Sequence, residues 1–165
     1  MDLVKTGIGG VDSILNGGIV ENATVLISGN PGTGKSIFGL EFIYNGAREF
    51  DEPGIYLSFE ENEEDIRDAA DSIGFDEWGD LVDDGRIKVY DKQVLLREND
   101  FSSTLDTLLN DLEETDYERL VMDSLTMFQL FFDTESEKRR YLLQFSDILK
   151  QNGFTSLLIA EQGAT

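Results

Sequence analysis

The chain of 165 residues is the size of one domain, read here as residues 1–165, and 40% apolar content is enough for a core. Its 34 acidic residues stand against 13 basic ones, a formal charge of -21 with no histidine, which repels nucleic acid and anionic membrane alike. Cysteine is absent as well, which excludes disulfides and thiolate chemistry and leaves no usual donor set for zinc.

The acids fall at surface-type positions such as Glu60 to Asp65 and Asp111 to Glu118, with apolar runs between them, so the charge is not that of a disordered tail. Such a balance suits concentrated salt, where repulsion is screened; a halophilic cytoplasm is the expected setting and an acidic binding surface the alternative. The opening MDLVKTGIGG carries no basic-then-apolar signal pattern, and no apolar run approaches membrane-spanning length. A cytoplasmic protein with no membrane partner is expected.

In chain order, Val11, Ile14 and Leu15 share a helical face before Gly17-Gly18, which predicts a short helix over 10–16 packed on a sheet edge. An apolar strand follows at 23–28. The next stretch, SGNPGTGKS, fits G-x-x-x-x-G-K-[ST] at Gly29, Gly34, Lys35 and Ser36, between a strand and a helical pattern. Gly29, Gly32 and Gly34 let the backbone wrap around an anion with its amides inward, and the following helix adds the positive end of its dipole. Asn30, Pro31 and Thr33 complete this phosphate loop. Lys35 supplies a point charge to the outer phosphates, and the Ser36 hydroxyl is suited to ligate Mg²⁺ held between them.

Ile37, Leu40, Phe42, Ile43 and Ala47 form the apolar side of a helix that Pro53-Gly54 terminates. Gly54 to Phe59 is dense and short, as a strand buried on both faces should be. Asn62 caps the next helix, whose inward residues are Ile66, Ala69, Ala70 and Ile73, and a connection through Trp78 and Leu81 leads to a third strand at 87–91. Residues 93–101 read as a loop. Leu105, Leu108, Leu109 and Leu112 mark a helix, Arg119 to Asp123 a fourth strand, and Glu135 to Asn152 the longest helix, while the periodicity of 126–133 fits neither state alone. The fifth strand is Ser156 to Ala160. Alternating short strands and amphipathic helices predict a three-layer α/β fold with a mostly parallel sheet of about five strands and helices on both faces.

Hydrolysis needs more than a phosphate loop. Asp123 ends an apolar strand, LVMD, in the Walker B manner and is the expected partner of Ser36 around the metal. Glu60 and Glu61 close the 54–59 strand and are the candidates to orient the attacking water, Glu60 first; the alternative for both is an acidic helix start. Glu161 and Gln162 follow the fifth strand at the level where a γ-phosphate would be sensed, with a solvated strand end as the alternative. Ser124 and Thr126 read as turn residues rather than phosphoacceptors.

Taken together, TGIGGVDSILNGGI, SGNPGTGKS, NGAREFDEPGIYLSFEE and VMDSLT resemble a KaiC-type domain of the RecA-like ATPases, the RadA/KaiC group, over nearly the whole chain. The resemblance implies ATP and Mg²⁺ as cofactors, Lys35 and Ser36 in Walker A, Asp123 in Walker B, and Glu60 and Glu61 as paired catalytic glutamates. It also implies a homo-oligomer, hexameric in the clock protein, or assembly with a related KaiC-like or regulatory protein. A sheet of that family continues with further strands that carry basic finger residues, so the chain is expected to lack C-terminal strands of the family core and to leave 23–28 as an apolar edge. The functions to weigh are an ATPase acting as an oligomeric switch, a nucleotide-dependent interaction module without useful hydrolysis, and a RadA-like mediator on single-stranded DNA. The charge opposes the last, and no basic stripe with interleaved aromatics is present.

Overall fold

The computed structural model describes residues 2–30, 34–96 and 101–161, apart from the side chains of 101 and 102. A two-residue strand β1 (Leu3–Val4) pairs antiparallel with β2 (Ile19–Val20) around the single turn of α1 (Val11–Ile14). Strands β3 (Thr24–Gly29), β4 (Gly54–Ser58), β5 (Ile87–Tyr90), β6 (Arg119–Asp123) and β7 (Thr155–Glu161) form one wholly parallel sheet in the order β3-β7-β6-β4-β5. The crossovers contain α2 (Lys35–Glu49), α3 (Glu63–Ser72), α4 (Trp78–Asp83), α5 (Lys92–Leu95), α6 (Phe101–Glu113), α7 (Leu125–Gln129) and α8 (Glu135–Gln151).

Strand side chains alternate between two apolar cores, which is why the strand sequences are apolar throughout. Ile55, Leu57, Leu120, Met122 and Leu158 face α6, α7 and α8, packing with Leu109, Phe128, Phe145 and Leu149. Their neighbours Tyr56, Val121, Leu157 and Ile159 face the other way, onto Leu40, Ile43, Ile66 and Trp78 of α2, α3 and α4. The three-layer α/β arrangement is the expected one. Strand β3 lies at the edge of the sheet, and its Leu26 is 58% exposed.

Several local expectations are corrected. Helix α1 does not dock on the sheet edge, since Ile14 and Leu15 are exposed; the Asp12 carboxylate instead closes the N-terminal loop, accepting the Thr6 and Gly7 amides at 2.9 and 3.0 Å. The β1/β2 pair was not expected, being too short to show a periodicity. Trp78 is no connection residue: it opens α4 and is fully buried, its ring nearly perpendicular to that of Tyr56. Residues 92–95 form α5, capped by the Asp91 carboxylate, where a loop was expected, and 125–129 form α7. Ile37 and Ile73, expected inward, are 48% and 37% exposed.

At the end of the sheet opposite the phosphate loop, Arg119 is buried beneath α2. Its guanidinium donates to Glu52 at 2.6 and 2.9 Å, to the Phe42 carbonyl at 2.8 Å and to the Lys5 carbonyl at 2.5 Å. It also lies over the rings of Phe42 and Phe50. Gly46 permits this, because a β-carbon there would overlap the Arg119 side chain. Truncation leaves Glu52 and two carbonyls without their donor, so Arg119→Ala should cost about 3–5 kcal/mol, measured as a lowered urea midpoint at unchanged slope.

Candidate nucleotide site

All five parallel strands end on one side, and their register sets the heights of the groups found there. Gly29 pairs with Glu161, Asp123 with Ile159, and Ser58 with Asp123. The start of α2, the tip of β6 and the turn after β4 therefore meet around one open cleft of about 390 Å³, lined by Lys35, Ser36, Glu60, Asp123, Ser124 and Glu161 among others.

Gly34 precedes α2 with φ of 85°, a left-handed backbone that suits glycine and turns the chain into the helix. Lys35 and Ser36 follow on the first turn. The Lys35 ammonium donates to the carbonyls of Gly29 and Asn30 at 2.7 and 2.8 Å, leaving one of its three protons for an anion over the loop. The Ser36 hydroxyl donates to Asp123 Oδ2 at 2.7 Å, linking residues 87 positions apart in the chain. Strand β7 lies between β3 and β6, and α2, which leaves the tip of β3, packs over β6 and so brings Ser36 to Asp123. Pro31, Gly32, Thr33 and Gln162 lie outside the described residues.

Asp123 Oδ2 has a second donor that the sequence reading missed, the Tyr56 hydroxyl at 3.0 Å. Tyr56 is 2% exposed, and burial first, then the Asp123 charge, pushes its phenol well above the ordinary value, so it stays a donor. The available signal was positional: Tyr56 is two residues before Ser58, on the same face of the strand. One oxygen of Asp123 thus has two hydroxyl donors, from α2 and from β4.

The turn after β4 carries the paired glutamates. Phe59 donates its amide to the Asp123 carbonyl at 3.0 Å, and the Glu61 amide donates to Ser58 Oγ at 3.2 Å. The Glu60 side chain is exposed and lines the cleft with Lys35, Ser36 and Asp123. Partial burial, and then the charges of Asp123, Asp65 and Glu60, raise the Glu61 carboxyl above its ordinary value, with Lys92 pulling the other way. Ser124 caps α7, accepting from the Met127 amide, and Thr126 Oγ1 accepts the Glu161 amide at 3.2 Å, tying the first turn of α7 to the end of β7.

The donor set fits a hard cation shared with phosphate. A hydroxyl and a carboxylate 2.7 Å apart offer two oxygens, and among the described residues no three His, Cys, Asp or Glu side chains converge to hold a metal alone. Few protein ligands and several from water and phosphate is the habit of Mg²⁺.

A phosphate-type loop at the tip of an edge strand, facing a strand-end carboxylate across a parallel sheet, defines a P-loop α/β protein of RecA-like fold. The family model described as "ATPase: KaiC" matches residues 4–165. The circadian clock oscillator protein KaiC of Synechococcus elongatus is 34% identical over 165 residues, covering 96% of this chain and 32% of that protein. The UPF0273 protein PH0284 of Pyrococcus horikoshii is 36% identical over 170 residues, 96% of this chain and 68% of that one. The crystal structure of the KaiC-like protein PH0186 from the same archaeon matches with a TM-score of 0.84 at 34% identity, covering 99% of this chain and 72% of that chain. The chain belongs to the KaiC family of ATPases and is a nucleotide-binding ATPase domain by that membership. It spans about a third of the clock protein. Among the described residues no helix is long and apolar enough to cross a membrane.

A carboxyl raised in the native state keeps its proton where the unfolded chain has lost it, so its contribution is full below the unfolded value, about 4.3, and is lost as pH rises through the native value. Glu61→Gln should therefore flatten the fall of Tm between pH 4.5 and 7, read by thermal melts at fixed salt, and should raise Tm at pH 7.

Proposed function

We propose that this domain binds Mg·ATP on the loop from Gly29 to Ser36 and hydrolyses it slowly, with assembly into an oligomer coupled to the bound nucleotide. The observation that carries the reading is the 2.7 Å contact of Ser36 with Asp123 in a cleft that Glu60 also lines. Lys35 holds the outer phosphates by charge, and Ser36 and Asp123 would hold the Mg²⁺, which when bound neutralises charge on the phosphate oxygens. Glu60 orients the attacking water and accepts its proton; Glu61, its carboxyl raised beside Asp123, is the second candidate for that role.

Support for assembly is the family itself and the edge position of β3, which presents unpaired backbone along one side among the described residues. A homo-oligomer, or a complex with a related protein of the family, follows from this reading, and a halophilic cytoplasm from the charge of -21. Nucleic acid is disfavoured by the same charge.

Phosphate release from Mg·ATP in high salt, followed over a range of protein concentrations, tests the reading. Release should rise more than linearly with concentration, and Glu60→Gln should reduce it about a hundredfold or more while nucleotide still binds. Lys35→Ala should weaken nucleotide binding itself by about tenfold or more. Binding without release at any concentration would replace hydrolysis with a nucleotide-dependent interaction module.

A further inference from the structure

The tip of β5, the strand farthest from the phosphate loop, holds a carboxylate outside the cleft. Asp91 is 7% exposed and uses both its oxygens on backbone amides. Oδ1 accepts the Val94 amide at 3.1 Å and so caps α5. Oδ2 accepts the Glu63 amide at 2.8 Å, from the first turn of α3, 28 residues earlier in the chain. The next residue continues the link, since the Lys92 amide donates to the Glu61 carbonyl at 3.1 Å.

A helix cap needs one oxygen, and α3 has its own cap in Asn62, which accepts the Asp65 amide at 2.8 Å. The second oxygen of Asp91 therefore does something else: it fixes the turn between β4 and α3. With Ser58 on the Glu61 amide and Asp123 on the Phe59 amide, the five residues 59–63 are held by four bonds to three other places in the fold. Glu60 and Glu61 are the centre of that span. Bonds to a buried carboxylate compete little with water and are the stronger for its charge.

We propose that Asp91 is a positioning residue for the Glu60-Glu61 pair, so that the far edge strand β5 sets the aim of the water-orienting carboxylates without touching nucleotide. The assignment rests on the reading of that pair given above. A misplacement of about 1 Å in such a group costs on the order of a hundredfold in rate. Lys35 and Ser36, on the first turn of α2, make none of these four bonds, so nucleotide binding is the property the change should leave in place.

The test is Asp91→Asn, whose amide replaces one of the two acceptors. Expected are a fall in kcat of about tenfold or more with KM for Mg·ATP within about twofold, and faster hydrogen exchange at the Glu63 amide with the amides of 35–49 unchanged. Thr134→Ala, which removes the cap of α8 and touches neither the lining of the cleft nor the 59–63 turn, should lower Tm without moving kcat. Ser58→Ala unpins the Glu61 amide from the other side and should give the same split between kcat and KM, which keeps the test open if Asp91→Asn folds poorly. An active wild type with normal kcat in both loop variants, or a fall in kcat that Thr134→Ala reproduces, overturns the assignment alone. Wild-type protein that binds nucleotide and releases no phosphate overturns the hydrolysis reading and the assignment with it.

Discussion

A buried guanidinium at the bottom of the sheet lets the top work. Arg119 begins β6 and Asp123 ends it, so one short strand carries the main internal ion pair and the carboxylate of the site. By bonding the Phe42 carbonyl, the Lys5 carbonyl and Glu52 together, Arg119 joins the middle of α2, the N-terminal segment and the α2–β4 connection to the central sheet. Helix α2 is thereby held at a fixed height over β6. Its first turn can then bring Ser36 to Asp123 without a loop having to search for the geometry.

The second constraint is register. In a parallel sheet the strand ends share one level only if the pairing is in step, and a slip of one residue would turn Asp123 away from α2 into the opposite core. Tyr56 and Val121 face each other across β4 and β6 on the α2 side, which places Ser58 and Asp123 on that side two residues later. The Tyr56 hydroxyl makes use of this, donating to the same Asp123 oxygen that Ser36 bonds. Packing and site are therefore one set of contacts here: the face that buries α2 is the face that carries the carboxylate.

Much of this was legible in the sequence because parallel strands buried on both faces declare themselves. Gly54 to Phe59 and Arg119 to Asp123 were read to within a residue of the strands they form, and the Asn62 cap followed from its place before an acidic helix start. The edge place of β3 followed from the family resemblance, but strand order was not legible from the pattern itself, since the pairing of β7 with β3 joins segments more than 120 residues apart. Short elements were missed for another reason. The pair β1/β2 and helices α4 and α5 are too brief for periodicity; α4 is fixed by Trp78 packing at right angles to the remote Tyr56 ring, and α5 by its own cap, Asp91, whose other oxygen is taken by the distant Glu63 amide. Tyr56 itself reads in a strand as one more core aromatic, and only the neighbouring strand shows what its hydroxyl meets.

Charge makes the site's demands unusual. Among the described residues that line the cleft, Lys35 is the one cation and Glu60, Asp123 and Glu161 are three carboxylates, on a chain whose net charge is -21. On the proposed reading a polyphosphate approaching this surface is repelled at long range and attracted only at short range, where Lys35 and the start of α2 supply positive potential. Salt removes the long-range term, because at about 1 M the screening length is roughly 3 Å, shorter than the approach but not shorter than the contacts in the loop. A divalent cation removes much of the rest by lowering the charge of the ligand before it arrives. The acidic surface and a phosphate loop are therefore compatible through their different ranges: the repulsion is an exposed, screened field, while the binding proposed above would depend on contacts a few ångströms long around Lys35, Ser36 and Asp123.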